Sequence, residues 1–280
     1  MSDEMSKSRS SRKRRRSKRR ADGEINRGTY ILPNLFTTAN LFSGFYGIVS
    51  TISGNYQAAA IAILVSCLFD ILDGKVARYA NATSRFGVEY DSLADLVAFG
   101  VGPALLLYLW ALKPFGRVGW LAAFVFVACG ALRLARFNVQ VNSVSKKYFV
   151  GLPIPGAACM VATTVLFFCE WKGPHFSGSS AILLGVTYLL GFLMVSNIRY
   201  NSMKELEVVK GKPLPALFVV VVLLSVVAAK PRIMLFSLLV AYVISGPLSL
   251  AAHRIRSWKQ ADKEAPVPRE STPKEDTGVR

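Results

Sequence analysis

The chain has 280 residues, of which 52% are hydrophobic, and its mean hydropathy is +0.37. An ordinary water-soluble domain of this length does not carry so many apolar residues, so the composition excludes that class and predicts a polytopic membrane protein. The formal charge of +17 comes from 34 basic and 17 acidic residues, and the basic residues are concentrated in the tails and in some of the loops.

The N-terminal residues 1–29 form a low-complexity basic block with almost nothing apolar to bury. We predict that this block is a disordered cytoplasmic tail. No aromatic residue precedes Tyr30, so base stacking is not available to it. An anionic lipid surface is therefore the favoured partner of the tail, and no nucleic-acid partner is expected.

From about residue 34, apolar segments alternate with short polar breaks, which predicts about eight transmembrane helices. The predicted spans cover residues 34–52, 56–73, 91–112, 118–138, 153–171, 180–198, 214–229 and 232–252. Residues 30–252 would thus form one all-α, membrane-embedded helical bundle. Residues 253–280 are polar and rich in Pro, Glu and Lys, which predicts a second disordered cytoplasmic tail. The hairpin at 230–232 separates the last two spans, and an interfacial break there would remove one span.

The distribution of basic residues indicates the orientation of the bundle. With the N-terminal tail inside, eight spans leave few basic residues outside, namely Lys113, Arg117, Lys172, Lys230 and Arg232. This asymmetry follows the positive-inside rule and predicts a multi-pass protein of the cell inner (cytoplasmic) membrane. It also places residues 70–95 at the cytoplasmic face.

Four carboxylates stand between residues 70 and 95, where the second predicted span ends and the third begins. Asp70 and Asp73 are spaced i, i+3, and Asp91 and Asp95 are spaced i, i+4, so each pair lies on one helical face. A charge within a membrane segment costs about 2.5–3.5 kcal/mol on insertion scales, so several acids together need a compensating partner. Solvated acids that cap helix ends are the alternative. The spacing favours two divalent cations, Mg²⁺ or Mn²⁺, which prefer oxygen ligands and assist displacement at phosphorus.

Small residues and one arginine accompany these acids. Gly74, Ala77 and Gly87 would let a nucleotide and its phosphates approach the backbone closely. Arg78 is a candidate donor of paired hydrogen bonds to a phosphate. The alternative role of the small residues is close helix packing, and the alternative role of the arginine is that of a positive-inside anchor.

The residues D-x2-D-G-x2-A-R-x8-G-x3-D-x3-D, from Asp70 to Asp95, resemble the signature of the CDP-alcohol phosphatidyltransferases. These integral membrane enzymes move a phosphatidyl group from a CDP-linked lipid to an alcohol and release CMP. The resemblance implies that Asp70, Asp73 and Asp91 bind metal and that Asp95 is both a ligand and the catalytic base. It also implies a homodimer, and a CDP pocket lined by Gly74, Ala77, Arg78 and Gly87.

The acceptor alcohol is suggested by residues outside the signature. Between about residues 30 and 205, the chain is similar to the subgroup of this family that uses L-serine. Arg133 and Arg136, one turn apart at a predicted cytoplasmic helix end, are candidate contacts for the serine carboxylate, with lipid anchoring as the alternative. Asn34, Thr37 and Asn40 follow at i, i+3 and i+6 and are candidates for nucleotide contact or for interhelical hydrogen bonds.

The resemblance therefore implies an enzyme that converts CDP-diacylglycerol and L-serine into phosphatidylserine and CMP. A sister enzyme that uses glycerol 3-phosphate, inositol phosphate or another alcohol is the nearest alternative. A transporter would disperse its acids along a translocation path, whereas these acids are clustered at one boundary. A non-catalytic scaffold would depend on the basic tail instead of the acids.

Overall fold

The computed structural model describes residues 27–79, 84–140, 149–172, 181–200 and 230–263. Apart from short connecting turns and two strands of two residues each, these residues are helical, so the predicted helical architecture is confirmed. The helices are α1 (Arg27–Ile52), α2 (Tyr56–Tyr79), α3 (Arg85–Asp95), α4 (Gly102–Leu107), α5 (Gly116–Gln140), α6 (Ile154–Lys172), α7 (Ala181–Val195) and α8 (Pro231–Lys263). Residues 1–26, the predicted seventh span at 214–229 and residues 264–280 lie outside the described residues.

The first two helices form an antiparallel pair joined by a tight turn. Gly54 has φ +76°, a conformation that favours glycine, and Asn55 then caps α2 through a hydrogen bond from the Ala58 N–H to its Oδ1 at 3.2 Å. A Cβ on Gly47 would lie 3.4 Å from the Ala59 carbonyl oxygen, so the two helices cross closely near this turn. α2 continues to Tyr79, beyond the predicted end at residue 73, because no proline lies between Asp73 and Tyr79 and a single glycine does not end a helix.

Helix α3 begins six residues earlier than the predicted start at residue 91. Ser84 is its N-cap, and the Ser84 Oγ accepts a hydrogen bond from the Gly87 N–H at 2.9 Å. Asp91 and Asp95 therefore lie in the second half of α3 instead of at its start. Hydropathy predicts a start at residue 91, but the Ser84 side-chain cap determines the boundary.

The chain from Leu96 to Leu112 alternates between π-helical and α-helical turns. Leu96–Val101 is π-helical, and the Gly102 N–H bonds to the Val97 carbonyl oxygen five residues earlier. Pro103 follows and has no N–H to donate, which favours a local departure from regular α-helical bonding. A second π-helical segment covers Tyr108–Leu112, and a short 3₁₀ turn leads to Gly116, with φ +53°.

The remaining helices enclose the core. α5 packs against the Leu96–Val101 segment and against α7, while α6 packs against α2 and α8. A short antiparallel pair, β1 (Phe149–Val150) with β2 (Arg199–Tyr200), joins the segment before α6 to the segment after α7 and was not predicted. Gly151, with φ +83°, follows β1, and a Cβ there would lie 2.4 Å from the Met194 carbonyl oxygen. The largest fully buried side chains include Trp110, Phe99 and Phe126.

Four helical runs in the described part of the chain are long and apolar enough to cross a membrane. They are Pro33–Ile52, Phe86–Val139, Ile154–Trp171 and Pro231–Leu248, and the shorter α7 is also apolar. The second run has 54 residues, too many for one crossing of a hydrocarbon core about 30 Å thick, and α5 packs back on the residues before Gly116. These runs support a membrane protein, but they do not confirm eight spans.

Candidate active site

Three of the four signature carboxylates meet at one point. Asp70 extends from α2, and Asp91 and Asp95 extend from α3; one carboxylate oxygen of each lies within 4.8 Å of the others. Asp95 is only 7% exposed, and Asp70 and Asp91 are half-buried. The i, i+4 spacing of Asp91 and Asp95 puts both on one face of α3, from which their carboxylates approach Asp70 of α2. The structure thus contains a compact acidic cluster.

Asp73 lies beside this cluster and is held by α1. It is 5% exposed, and the Thr37 hydroxyl donates a hydrogen bond to its Oδ2 at 3.1 Å. The Thr37 oxygen also lies 3.2 Å from the Pro33 carbonyl oxygen. Asp73 is close enough to Asp70 and Asp91 for Coulombic repulsion, although it is not one of the three acids that converge.

Asn40 connects α1 to Asp95. Its Nδ2 donates a hydrogen bond to Asp95 Oδ1 at 2.9 Å. The Ser66 hydroxyl of α2 lies 2.7 Å from the Asn40 carbonyl oxygen and also bonds to Asn40 Oδ1. Asn40 and Ser66 are both fully buried, so this network lies inside the bundle.

The close approach of α1 to the segment after Asp95 makes this network possible. A Cβ on Gly44 would lie 2.6 Å from the Ala98 Cα, so a larger residue at that crossing would force the two backbones apart. Asn40 stands one turn before Gly44, and Asp95 stands just before Ala98. The small residues therefore bring Asn40 within hydrogen-bond distance of Asp95.

The acidic cluster is chemically suited to a hard divalent cation. Carboxylate oxygens are the ligands that Mg²⁺ and Mn²⁺ prefer. Asp91 Oδ1 is buried and has no hydrogen-bond partner in the described part of the chain. Like charges this close repel one another unless positive charge or a proton is supplied. A bound cation would satisfy both the repulsion and the unpartnered oxygen, so the residues fit a metal site.

The predicted nucleotide pocket is described in part. A Cβ on Gly87 would lie 3.1 Å from Ser84 Oγ and 3.4 Å from Asn34 Oδ1, so the start of α3 passes close to α1. Gly74 lies one residue after Asp73 on α2 and is half-buried. The side chains of Ala77 and Arg78 lie outside the described set, and the roles of all these residues toward a nucleotide stay predictions.

The two candidate acceptor arginines have different surroundings. Arg133 has a buried Nε that lacks a partner among the described residues, and its guanidinium is near enough to Asp95 and Tyr242 for a Coulombic interaction with each. Arg136 instead donates a hydrogen bond to Asn197 Oδ1 at 2.8 Å. Arg133 therefore lies within Coulombic range of the acidic cluster, while Arg136 joins α5 to the segment after α7.

Several residues at the site were not singled out as site residues by the sequence analysis. Asn138 donates to Ser92 Oγ at 3.0 Å, which joins the end of α5 to α3, and Tyr242 of α8 approaches Arg133. Ser66 bonds to Asn40. Ser92 lies inside the Asp70–Asp95 signature at a variable position, and Asn138 lies two residues after the candidate Arg136. Ser66 and Tyr242 stand in apolar runs, and no sequence signal marks them.

The fold and the site together define a class of protein. It is a helical membrane protein in which carboxylates from two successive helices form one acidic cluster that is suited to a divalent cation.

The chain belongs to the CDP-alcohol phosphatidyltransferase family, whose model matches residues 30–193. It is 41% identical over 219 residues to a CDP-diacylglycerol–serine O-phosphatidyltransferase of Helicobacter pylori, a match that covers 78% of this chain and 90% of that protein. A Mycobacterium tuberculosis protein of the same name is 32% identical over 232 residues, 80% of this chain and 79% of the relative. An archaetidylserine synthase of Methanothermobacter thermautotrophicus is 39% identical over 173 residues, 60% of this chain and 69% of that protein.

Proposed function

We propose that this chain is a CDP-diacylglycerol–serine O-phosphatidyltransferase. It transfers the phosphatidyl group of CDP-diacylglycerol to the hydroxyl of L-serine and produces phosphatidylserine and CMP. The convergence of Asp70, Asp91 and Asp95 is the observation that carries the chemistry. The names of the relatives in Helicobacter and Mycobacterium support the choice of serine.

The four signature aspartates hold two divalent cations, Mg²⁺ or Mn²⁺, in this proposal. Bound cations neutralise the phosphate charge and stabilise the attacking and leaving oxygens of an in-line displacement. The protein holds Asp95 through Asn40 and Asp73 through Thr37, so the ligands are orientated before the substrate arrives. Gly74, Ala77, Arg78 and Gly87 line the CDP pocket, with Asn34 and Thr37 at its α1 side.

Asp95 is the proposed base. It accepts the proton of the serine hydroxyl as the serine oxygen forms a bond to the phosphatidyl phosphorus. The bond between that phosphorus and the bridging oxygen breaks, and CMP leaves with the bridging oxygen. Asp95 is buried among helices, which limits the access of water as a competing acceptor.

Arg133 is the better of the two arginines for binding the serine carboxylate. Its buried Nε has no partner in the described structure, and its guanidinium lies within Coulombic range of Asp95, the group that would take the hydroxyl proton. If Arg133 binds the serine carboxylate, the serine hydroxyl lies near Asp95, because the carboxylate and the hydroxyl of serine are only a few bonds apart. Arg136 has a secondary role because its guanidinium is engaged by Asn197.

We further propose eight membrane spans within residues 30–252, disordered tails outside the bundle, the cytoplasmic membrane as location and a cytoplasmic active site. The excess of basic residues in the predicted inside loops supports this orientation. The structure modifies both tail boundaries, since α1 begins at Arg27, within the predicted N-terminal tail, and α8 continues as helix to Lys263, into the predicted C-terminal tail. Resemblance to the family supports a homodimer.

A panel of acceptors tests the proposed function. The full chain in detergent or nanodiscs is incubated with CDP-diacylglycerol and Mn²⁺, and CMP release is measured with L-serine, glycerol 3-phosphate, inositol phosphate or no acceptor. We expect serine-dependent release that EDTA abolishes and Mn²⁺ or Mg²⁺ restores. Release with glycerol 3-phosphate but not with serine would contradict the acceptor and favour the sister activity.

A further inference from the structure

We propose that Ser66 and Asn40 are positioning residues that fix the carboxylate of Asp95. This inference rests on the proposed role of Asp95 as ligand and base. It concerns two buried polar residues, one on α2 and one on α1, that no signature position includes.

The directions of two hydrogen bonds determine how the Asn40 amide is oriented. A carboxylate oxygen can only accept, so the amide group of Asn40 that faces Asp95 Oδ1 at 2.9 Å must be its NH₂. The amide oxygen of Asn40 is then directed to Ser66, whose hydroxyl has a hydrogen to donate. Asp95 therefore selects the orientation of the Asn40 amide, since a serine hydroxyl can donate or accept, and Ser66 holds the amide oxygen in that orientation.

Burial makes this selection strict. Asn40 and Ser66 are both fully buried, so water does not replace either hydrogen bond. An Asn40 amide rotated by 180° would place its oxygen against the carboxylate and its NH₂ against the Ser66 hydroxyl. Two acceptors would then face each other at Asp95, which is unfavourable in a buried site.

The consequence concerns the second oxygen of Asp95. Because Asn40 engages Oδ1, the rotation of the carboxylate is fixed and Oδ2 remains for a cation or for the acceptor hydroxyl. Outer partners that orient metal ligands typically change metal affinity or activity by about 10–100-fold when they are removed. The Ser66–Asn40 pair has this arrangement toward Asp95, and it joins α1 to α2, the helix that carries Asp70.

The chain offers a matched control for this pair. The Ser43 hydroxyl of α1 donates to the Ala62 carbonyl oxygen of α2 at 2.8 Å, and Ser43 is also buried. This hydrogen bond joins the same two helices but does not touch Asp95 or Asn40. Ser43→Ala therefore measures the structural effect of losing one buried α1–α2 hydrogen bond.

The experiment compares Ser66→Ala, Ser66→Thr, Asn40→Asp and Ser43→Ala in the full chain. Mn²⁺ binding is measured by electron paramagnetic resonance without substrate, and kcat and KM are measured from CMP release. We expect Ser66→Ala to weaken Mn²⁺ binding or lower kcat about tenfold, with KM for CDP-diacylglycerol nearly unchanged. Asn40→Asp replaces the donor with an acceptor of the same shape, so its Mn²⁺ binding and kcat should fall further than those of Ser66→Ala. Ser66→Thr keeps the hydroxyl and should recover most of the loss, while Ser43→Ala should stay within twofold of the original chain.

Two outcomes would overturn the inference. In the first, Ser66→Ala and Ser43→Ala lose Mn²⁺ binding and kcat equally. In the second, both Ser66→Ala and Asn40→Asp keep Mn²⁺ binding and kcat within twofold of the original chain. Asp95→Asn separates this failure from failure of the proposed function. If Asp95→Asn is inactive while Ser66→Ala resembles Ser43→Ala, only the positioning role fails. If Asp95→Asn keeps full activity, the proposed role of Asp95 fails with it.

Discussion

At the scale of single residues, the site contains similar groups with different surroundings. Asp95 and Asp73 accept hydrogen bonds from α1, through Asn40 and Thr37, whereas Asp91 Oδ1 is buried without a partner in the described structure. A buried acceptor without a partner is costly. Asp91 is therefore the carboxylate that most needs a bound cation.

Asp91→Asn tests this role. The substitution keeps the size of the side chain but removes a charge and one anionic ligand, so Mn²⁺ should bind more weakly. Residues that only orient a metal ligand contribute about 10–100-fold, so loss of the ligand itself should lower CMP release by at least about 100-fold. Glu89→Gln is the matched control because Glu89 is exposed on the same helix. Activity of Asp91→Asn within threefold of the control would refute the assignment.

Arg133 and Arg136 are separated by a second substitution pair. Arg133→Gln should raise KM for L-serine about 10–100-fold, which corresponds to the roughly 1.5–3 kcal/mol of a hydrogen bond to a charged group. Arg136→Gln should raise it much less because Arg136 is bonded to Asn197. Both are measured by initial rates over a range of serine concentrations. The reverse order of the two KM values would place the carboxylate at Arg136.

At the scale of elements, helix crossings determine which polar groups meet. Gly44 of α1 lies against Ala98, and this contact sets the separation between Asn40 and Asp95. The π-helical turns that begin at Leu96 follow Asp95 directly. An α1 held farther from this segment would leave Asp95 without its donor.

Gly44→Ala should therefore destabilise the protein and reduce its activity. A Cβ would lie 2.6 Å from both the Cα and the Cβ of Ala98, and overpacking of this kind costs about 1–3 kcal/mol. Gly185→Ala is the control because no atom lies within 4 Å of its added Cβ, and a helical alanine is favoured over glycine by about 1 kcal/mol. The temperature of half-inactivation in detergent should fall for Gly44→Ala and stay level or rise for Gly185→Ala. Equal temperatures would contradict the close crossing.

At the scale of the whole molecule, the apolar surface is explained by a lipid environment. Many large apolar side chains are exposed on the outer faces of the helices, including Phe42, Phe45, Leu132, Phe192 and Leu248. Water does not favour so large an apolar surface, whereas lipid does. The polar and acidic groups of the site lie instead between α1, α2 and α3.

Labelling of engineered cysteines tests the proposed orientation. Glu89 and Lys113 are exposed. Glu89 lies near the start of the Phe86–Val139 run, and Lys113 lies where the chain turns back toward α5, about 36 Å farther along at 1.5 Å per residue. In intact cells, Lys113→Cys should react with an impermeant maleimide, and Glu89→Cys should react only after permeabilisation. The four native cysteines are buried or half-buried, which keeps the background low. The opposite pattern would place the acidic cluster outside.

The sequence by itself determined the family, the helical architecture and the four aspartates. Hydropathy and the fixed spacing from Asp70 to Asp95 are local properties, and a local pattern is sufficient to read them. The spacing also predicted that Asp91 and Asp95 share one face of a helix, because that follows from helix geometry alone.

Only the tertiary structure decided how these groups are arranged in space. It brought Asp70, Asp91 and Asp95 together, paired Asp73 with Thr37 and distinguished Arg133 from Arg136. It also joined Ser66 and Asn40 to Asp95. These contacts connect different helices, and they depend on crossings such as that of Gly44 with Ala98, for which no spacing along the chain gives a distance.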